Sequence, residues 1–243
     1  MQRYFVKNIE NNKVTLLDSD YHHLKNVMRY KDNDKIEVVY EEKLYIANIN
    51  NINNNDIEII KTIEENNELD IDITIAIGLV KEQKMDLILQ KLTELGVKKI
   101  IPLKLNRSIV KLEDKKTDKK LDRWHSICKE ASEQSKRNLI PKIEKPMTIK
   151  ELIKEDYDLK LIASTKEENL ISNYLQNIKK YDKIIVVIGP EGGIEPKEEE
   201  ELNKSDFISV SFGKLILRVE TAAIYVASII NYNCRKWCYV CNR

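Results

Sequence analysis

No apolar run in this 243-residue chain approaches the length of a membrane span, and its opening, MQRYFVKNIENNK, lacks the apolar core of an export signal. With neither present, the cytoplasm is the expected compartment. Net charge is all but missing: 41 basic residues against 40 acidic ones leave +1, which points to no partner. No internal repeat appears. Cysteine is scarce, at four residues. Cys128 stands alone in a helical stretch and reads as a small buried hydrophobe. The others crowd CRKWCYVC (Cys234, Cys238, Cys241) with the C-x3-C-x2-C spacing of iron–sulfur clusters in radical enzymes. Those enzymes carry the motif ahead of a large domain, whereas here only Asn242 and Arg243 follow it. Three thiols with no evident fourth ligand also make a weak zinc site. The tail is read as structural or incidental, and no metal is expected.

What is present is an ordinary balance of 42% hydrophobic and 33% charged residues, enough for a sizeable core. RYFVKNI, KVTLLD, DKIEVVY, KLYIANI and DIEIIKTI are short, rich in β-branched and aromatic residues, and separated by polar turns. With one helix-like interruption (SDYHHLKNVMRY), they predict a small β-barrel over residues 1–70. The polar stretch EENNELD (Glu64 to Asp70) is the candidate linker. Beyond it the rhythm changes. IDITIAIGL, KKIIPLKL, LKLIAST, KIIVVIGP and FISVSFG read as buried strands. EQKMDLILQKLTEL, LDRWHSICKEASEQSKR and VETAAIYVASIINY read as helices, the last nearly uncharged and therefore buried. Strands alternating with helices predict an α/β domain with a mainly parallel sheet over residues 71–243. Between Lys104 and Lys142, twelve basic residues face six acidic ones, a surplus that marks either a nucleic-acid footprint or a solvated helix face.

Two strand-to-helix junctions carry the chemistry, because open α/β sheets bind ligands beyond the carboxyl ends of their strands. At the first, Ile188 leads into Gly189-Pro190-Glu191-Gly192-Gly193, and Pro196 opens a helix with acids in its first turn. This loop matches neither G-x-G-x-x-G nor G-x-x-x-x-G-K-[ST], and Glu191 and Glu195 would repel a polyphosphate. An adenosine without phosphates but with positive charge suits it, as in S-adenosylmethionine. A tight turn before a well-capped helix explains the loop equally well. At the second junction, Phe212-Gly213-Lys214-Leu215-Ile216-Leu217-Arg218 precedes a helix with Glu220 and Thr221 in its first turn. Its apolar triplet is either plain core or the wall of an adenine site.

IGPEGGIEPKEEEEL followed by FGKLILRVETA resembles the paired C-terminal signature of the SPOUT methyltransferases, and more closely the bacterial 16S ribosomal RNA uridine-N3 methyltransferase family (RsmE). HHLKNVMRYKDND, KEQKMDLILQKLTELGVKKIIPLKLNRSIVK and RWHSICKEASEQSKRNLIP resemble further blocks of that family in order and spacing, so the likeness covers nearly the whole chain. Departures are Phe212 where leucine is usual, Lys214 and Leu215, and the cysteine-bearing tail. The resemblance implies a PUA-like RNA-binding barrel, a SPOUT domain with a C-terminal trefoil knot, and a homodimer. It implies S-adenosylmethionine held by Thr165, Ile188, Gly189, Pro190, Glu191, Gly192, Gly193, Phe212, Gly213, Leu215, Leu217, Arg218 and Thr221. The substrate it implies is 16S ribosomal RNA, free or in the assembled small subunit.

Methylating an imide nitrogen leaves charge spread over flanking carbonyl oxygens, which a cation stabilises. Arg218 is the first candidate, with Arg137 as an aid from the substrate side. Glu220 is a candidate base or orienter, or simply an acid favoured by the helix dipole. His22, His23, Lys25 and Arg29 form a candidate RNA face, joined by Arg107, Arg123, Gln134 and Arg137, whereas His125 reads as helix surface. Ribose 2′-O methylation and non-catalytic RNA binding are the rival functions.

Overall fold

In the computed structural model the described residues are 1–111, 114–180 and 182–240, without the side chains of 114–116 and 235–240. The side chains of Cys238 and Cys241, and part of the basic segment at 112–116, lie outside the described residues. The chain forms two compact units: Met1–Glu68 with Lys129–Ile140, and Leu69–Cys128 with Pro141–Arg243.

The first unit is a curled six-stranded sheet in the order β1-β4-β5-β6-β3-β2. Its strands are β1 (Arg3–Phe5), β2 (Ile9–Glu10), β3 (Lys13–Val14), β4 (Lys35–Tyr40), β5 (Lys43–Asn51) and β6 (Asp56–Ile63). β1 and β4 run parallel, and the other pairs are antiparallel. The expected strand RYFVKNI is two strands, β1 and β2. The helix-like interruption is α1 (Asp18–His22) followed by a π-helical turn, His23–Val27. One face of the sheet and the π turn bury Tyr4, Val14, Leu16, Leu24, Ile36, Val38, Ala47, Ile49 and Ile57 together. EENNELD is more than a tether: the Glu68 side chain accepts hydrogen bonds from Arg137 and from the Asn138 amide, and Leu69 is buried.

The second unit is built on six parallel strands in the order β12-β10-β11-β7-β8-β9. They are β7 (Asp72–Gly78), β8 (Lys99–Leu103), β9 (Lys142–Ile143), β10 (Leu159–Ala163), β11 (Lys183–Ile188) and β12 (Ile208–Val210). β7 and β11 are buried almost throughout, which explains their unbroken apolar runs. The short β9 escapes the sequence pattern because two residues are too few to show a period. α2 (Glu82–Glu94) turns Met85, Ile88, Leu89 and Leu92 inward. α3 (Asp114–Gln134) crosses the division between units, its last residues belonging to the first. The short α4 (Ile149–Leu152) and α5 (Ser172–Leu175) were not anticipated, while α6 (Pro196–Asn203) begins at the expected proline and α7 (Val219–Val240) closes the unit. Among the described residues no helix is long and apolar enough to cross a membrane, and no His, Cys, Asp and Glu cluster could hold a metal ion.

Candidate functional site

The loops leaving the carboxyl ends of β10, β11 and β12 enclose a cleft of about 610 Å³. The loop after β11 is fixed from both sides. Pro190 O accepts a hydrogen bond from the Gly193 amide at 2.8 Å, closing a tight turn, and Gly192 O accepts one from the Arg107 guanidinium at 3.1 Å. Downstream, Glu195 and Glu198 form a capping box on α6. Glu198 also accepts from the Asn106 amide at 2.9 Å, and Glu195 from the Asn106 side chain at 2.5 Å. The acids at this junction are thereby divided. Glu195 and Glu198 anchor the loop after β8, and Glu191 is left at the cleft.

Gly193 (φ +72°) and Gly213 (φ +110°) both occupy left-handed backbone, and a Cβ on either would meet nothing within 4 Å. The two glycines therefore face open space where backbone amides can approach a ligand. Leu215 is 80% and Ile216 85% exposed on the cleft wall. The core reading of this triplet is overturned: the loop stands out from the unit as an apolar wall. Lys84, at the start of α2, donates to Glu191 at 2.9 Å and stands 3.6 Å from Glu220. Burial pushes the Glu191 carboxyl up, but hydrogen bonds from Lys84 and its own backbone outweigh it and hold the group below its ordinary value. The cleft therefore presents an apolar wall, a carboxylate that stays ionised, and glycine backbone. The ionised Glu191 and the apolar wall suit a cationic nucleoside, while Lys84, Arg107, Lys166, Lys214 and Arg218 bring basic groups to the same cleft.

Thr165, Ile188, Gly189, Pro190, Glu191, Gly192, Gly193, Phe212, Gly213, Leu215, Leu217 and Arg218 all line this cleft, as does Arg107. Thr221 and Glu220 do not. Thr221 is exposed on the outer side of α7's first turn, and Glu220 lies behind Lys84 with its Oε2 buried and without a hydrogen-bond partner. The sequence reasoning missed Lys84, Lys166, Glu199, Ala222 and the Ser164 neighbourhood. Position beyond the carboxyl end of β10 was the available signal for Ser164. Lys84 gives none, because a lysine opening an amphipathic helix looks like any solvated one.

The candidate RNA residues divide as well. His22 and Arg29 are exposed in the first unit. Lys25 donates to Asn53 at 3.0 Å and sits over the Tyr21 ring, and His23 Nδ1 is 3.0 Å from the Tyr4 hydroxyl. Gln134 and His125 are exposed, and Arg123, half-exposed in the second unit, pairs with Asp86 at 2.6 Å. Arg137 lies apart from these exposed residues. It is only 4% exposed and its guanidinium lies 2.6 Å from Glu68, so it holds the first unit together from inside.

The family models identify the chain as an RNA methyltransferase. The family model for an RNA methyltransferase domain matches residues 67–231, and that for an RNA methyltransferase PUA domain matches residues 16–62. The chain belongs to the ribosomal RNA small subunit methyltransferase E family, of the SPOUT class. It is 36% identical over 248 residues to the Ribosomal RNA small subunit methyltransferase E of Bacillus subtilis (strain 168), covering 96% of each chain. The protein of the same name from Mesomycoplasma hyopneumoniae (strain 232) is 36% identical over 228 residues, covering 93% of this chain and 97% of that one. A crystal structure of a Ribosomal RNA small subunit methyltransferase E from Neisseria gonorrhoeae, bound to S-adenosyl methionine, superposes with a TM-score of 0.85 at 29% identity. It covers 96% of this chain and 97% of that one.

Proposed function

We propose that this chain methylates N3 of a uridine in 16S ribosomal RNA, free or within the small subunit, using S-adenosylmethionine, and that it works as a homodimer. The observation that carries this is the cleft, which offers glycine backbone, an exposed apolar loop and an ionised carboxylate, in a chain whose RNA methyltransferase match spans it. Bound there, S-adenosylmethionine supplies a methyl group on a cationic sulfur. Leu215 and Ile216 cover the adenine, Glu191 accepts hydrogen bonds from ribose hydroxyls or the ammonium group, and the backbone around Gly193 and Gly213 closes on the ligand. N3 gives up its proton to solvent water and takes the methyl as the S–CH3 bond breaks, leaving S-adenosylhomocysteine, and Arg218, exposed at the wall, would stabilise the negative charge spread over the uracil carbonyl oxygens. Glu220, held back from the wall, orients its surroundings and does not take that proton.

An imide needs modest help to ionise, whereas a ribose hydroxyl is a very weak acid that needs a strong local base. Among the described residues lining the cleft there is no histidine, which favours the base over the sugar. Ribosomal RNA from cells with and without the gene, digested to nucleosides and weighed by mass spectrometry, tests the proposal. Loss of 3-methyluridine supports it, and loss of a ribose-methylated nucleoside refutes it.

A further inference from the structure

Lys84 reaches the cleft from the first turn of α2, between two carboxylates that belong to different elements. Its Nζ donates to Glu191 Oε1 at 2.9 Å. Glu220 Oε2, on the first turn of α7, is 3.6 Å away, within ion-pair range but too long for a hydrogen bond. That oxygen is shut off from solvent and has no hydrogen-bond partner. An acceptor that has lost water and gained nothing raises the free energy of its surroundings and calls for an explanation. The only ammonium group paired with it is already donating elsewhere among the described residues. A lysine has three donors on a flexible stem, so a movement of less than about 1 Å brings it into bonding distance.

We infer that Lys84 is a positioning residue shared between Glu191 and Glu220, passing from the first carboxylate to the second when a ligand in the cleft engages Glu191. The proposed cofactor reading enters here only as the identity of that ligand. Glu191 is the carboxylate more open to a ligand: its side chain is 31% exposed, against 15% for Glu220. Filling the cleft draws Glu191 toward ligand hydroxyl or ammonium groups, and the freed Lys84 completes the buried oxygen of Glu220. Glu220 follows Arg218 by two residues, so occupancy of the cofactor loop is transmitted to the arginine at the start of α7. The other charged groups near this exchange are Lys81 ahead of α2, Arg107 after β8 and Arg218 itself. Glu191 and, more weakly, Glu220 hold the Lys84 ammonium above its ordinary value, so it is charged throughout the working pH range.

Carbon-13 NMR of the glutamate carboxyls in the full-length protein, with Glu220 assigned through Glu220→Gln, reads the exchange directly. At one neutral pH, Lys84→Met removes the cation beside a shielded carboxylate and should move the Glu220 carboxyl resonance. Glu191→Gln gives Lys84 wholly to Glu220 and should move that resonance the opposite way. Lys84→Arg should restore a resonance near that of the wild type. Saturating S-adenosylmethionine added to the wild type should reproduce the Glu191→Gln shift. Equal resonances in the wild type, Lys84→Met and Glu191→Gln overturn the sharing. Binding seen by calorimetry with an unmoved resonance overturns the transfer. Opposite shifts in the two variants with no calorimetric binding uphold the shared lysine and overturn the cofactor assignment instead.

Discussion

At the residue scale, one close approach and one ion pair decide most. Gly78 ends β7 against the loop after β11: a Cβ there would lie 2.6 Å from Pro190 Cδ and 2.7 Å from its backbone nitrogen. A proline ring and its backbone cannot yield cheaply, so Gly78→Ala should cost about 1–3 kcal/mol in urea denaturation. It should also weaken S-adenosylmethionine binding, because Pro190 opens the proposed cofactor loop. Unchanged stability and affinity would show that this junction has slack. In the first unit, Glu37 accepts from Arg3 at 2.8 Å and Lys136 at 3.0 Å. Burial raises its carboxyl, but these two cations outweigh burial and hold it below its ordinary value. A carboxyl depressed in the folded state adds stability above its unfolded pKa, and that stability is lost as pH falls through the folded one. Wild-type stability should therefore fall between about pH 5 and pH 3 more steeply than that of Glu37→Gln. Parallel curves from thermal denaturation across that range would remove Glu37 from the account.

At the element scale, the β4–β5 hairpin is closed by Glu41 and Glu42, at φ +47° and +62°. Two left-handed residues in a two-residue loop are the signature of a type I′ turn, which asparagine and glycine fill at least cost. The β2–β3 turn uses Asn11 and Asn12, at φ +49° and +63°, and so fits its residues to its geometry. Replacing Glu41-Glu42 by Asn-Gly should raise stability by about 1–2 kcal/mol, read as a higher urea midpoint at unchanged slope. No gain would mean that the present turn is held by contacts of its glutamates. The same comparison shows what a sequence carries at this scale. β7, β11 and α2 were legible because each is long enough for its period to appear. β9, α4 and α5 have two to four residues and leave no period at all. The glutamate pair at 41–42 hid a turn behind residues that do not favour it. The apolar 215–217 loop was misleading for a different reason: hydrophobicity reports a preference for burial, and here Leu215 and Ile216 stand exposed on a cleft wall.

At the scale of the whole molecule, pattern and composition reach only part of the way. The division into a sheet-based RNA unit and an α/β unit follows local rhythm, but nothing in that rhythm says that Lys129–Ile140 completes the first unit. That depends on Arg137 and Asn138 meeting Glu68, contacts some seventy residues apart. Threading of the chain is likewise invisible to periodicity. Association is where the exposed surface speaks. α7 exposes 41% of Tyr225 and 65% of Tyr232, and Phe212 of the cofactor loop packs on Tyr225 with ring centroids 5.8 Å apart. Leu215 and Ile216 extend from the same loop. Exposed apolar residues in such number around a ligand cleft mark an interaction surface. A second copy of the chain is the occupant that the proposed function supplies. Light scattering at micromolar concentration should then give twice the mass of the 28.5 kDa chain. Tyr232→Glu, far from the cleft lining and already exposed, should shift that mass toward the single chain without unfolding it, because burying an unpaired charge opposes association. S-adenosylmethionine affinity should fall with the dimer, since Leu215 and Ile216 stand on both the proposed cofactor cleft and the proposed dimer face. A monomeric wild type that binds the cofactor fully would separate the two roles and leave the apolar loop to the ligand alone.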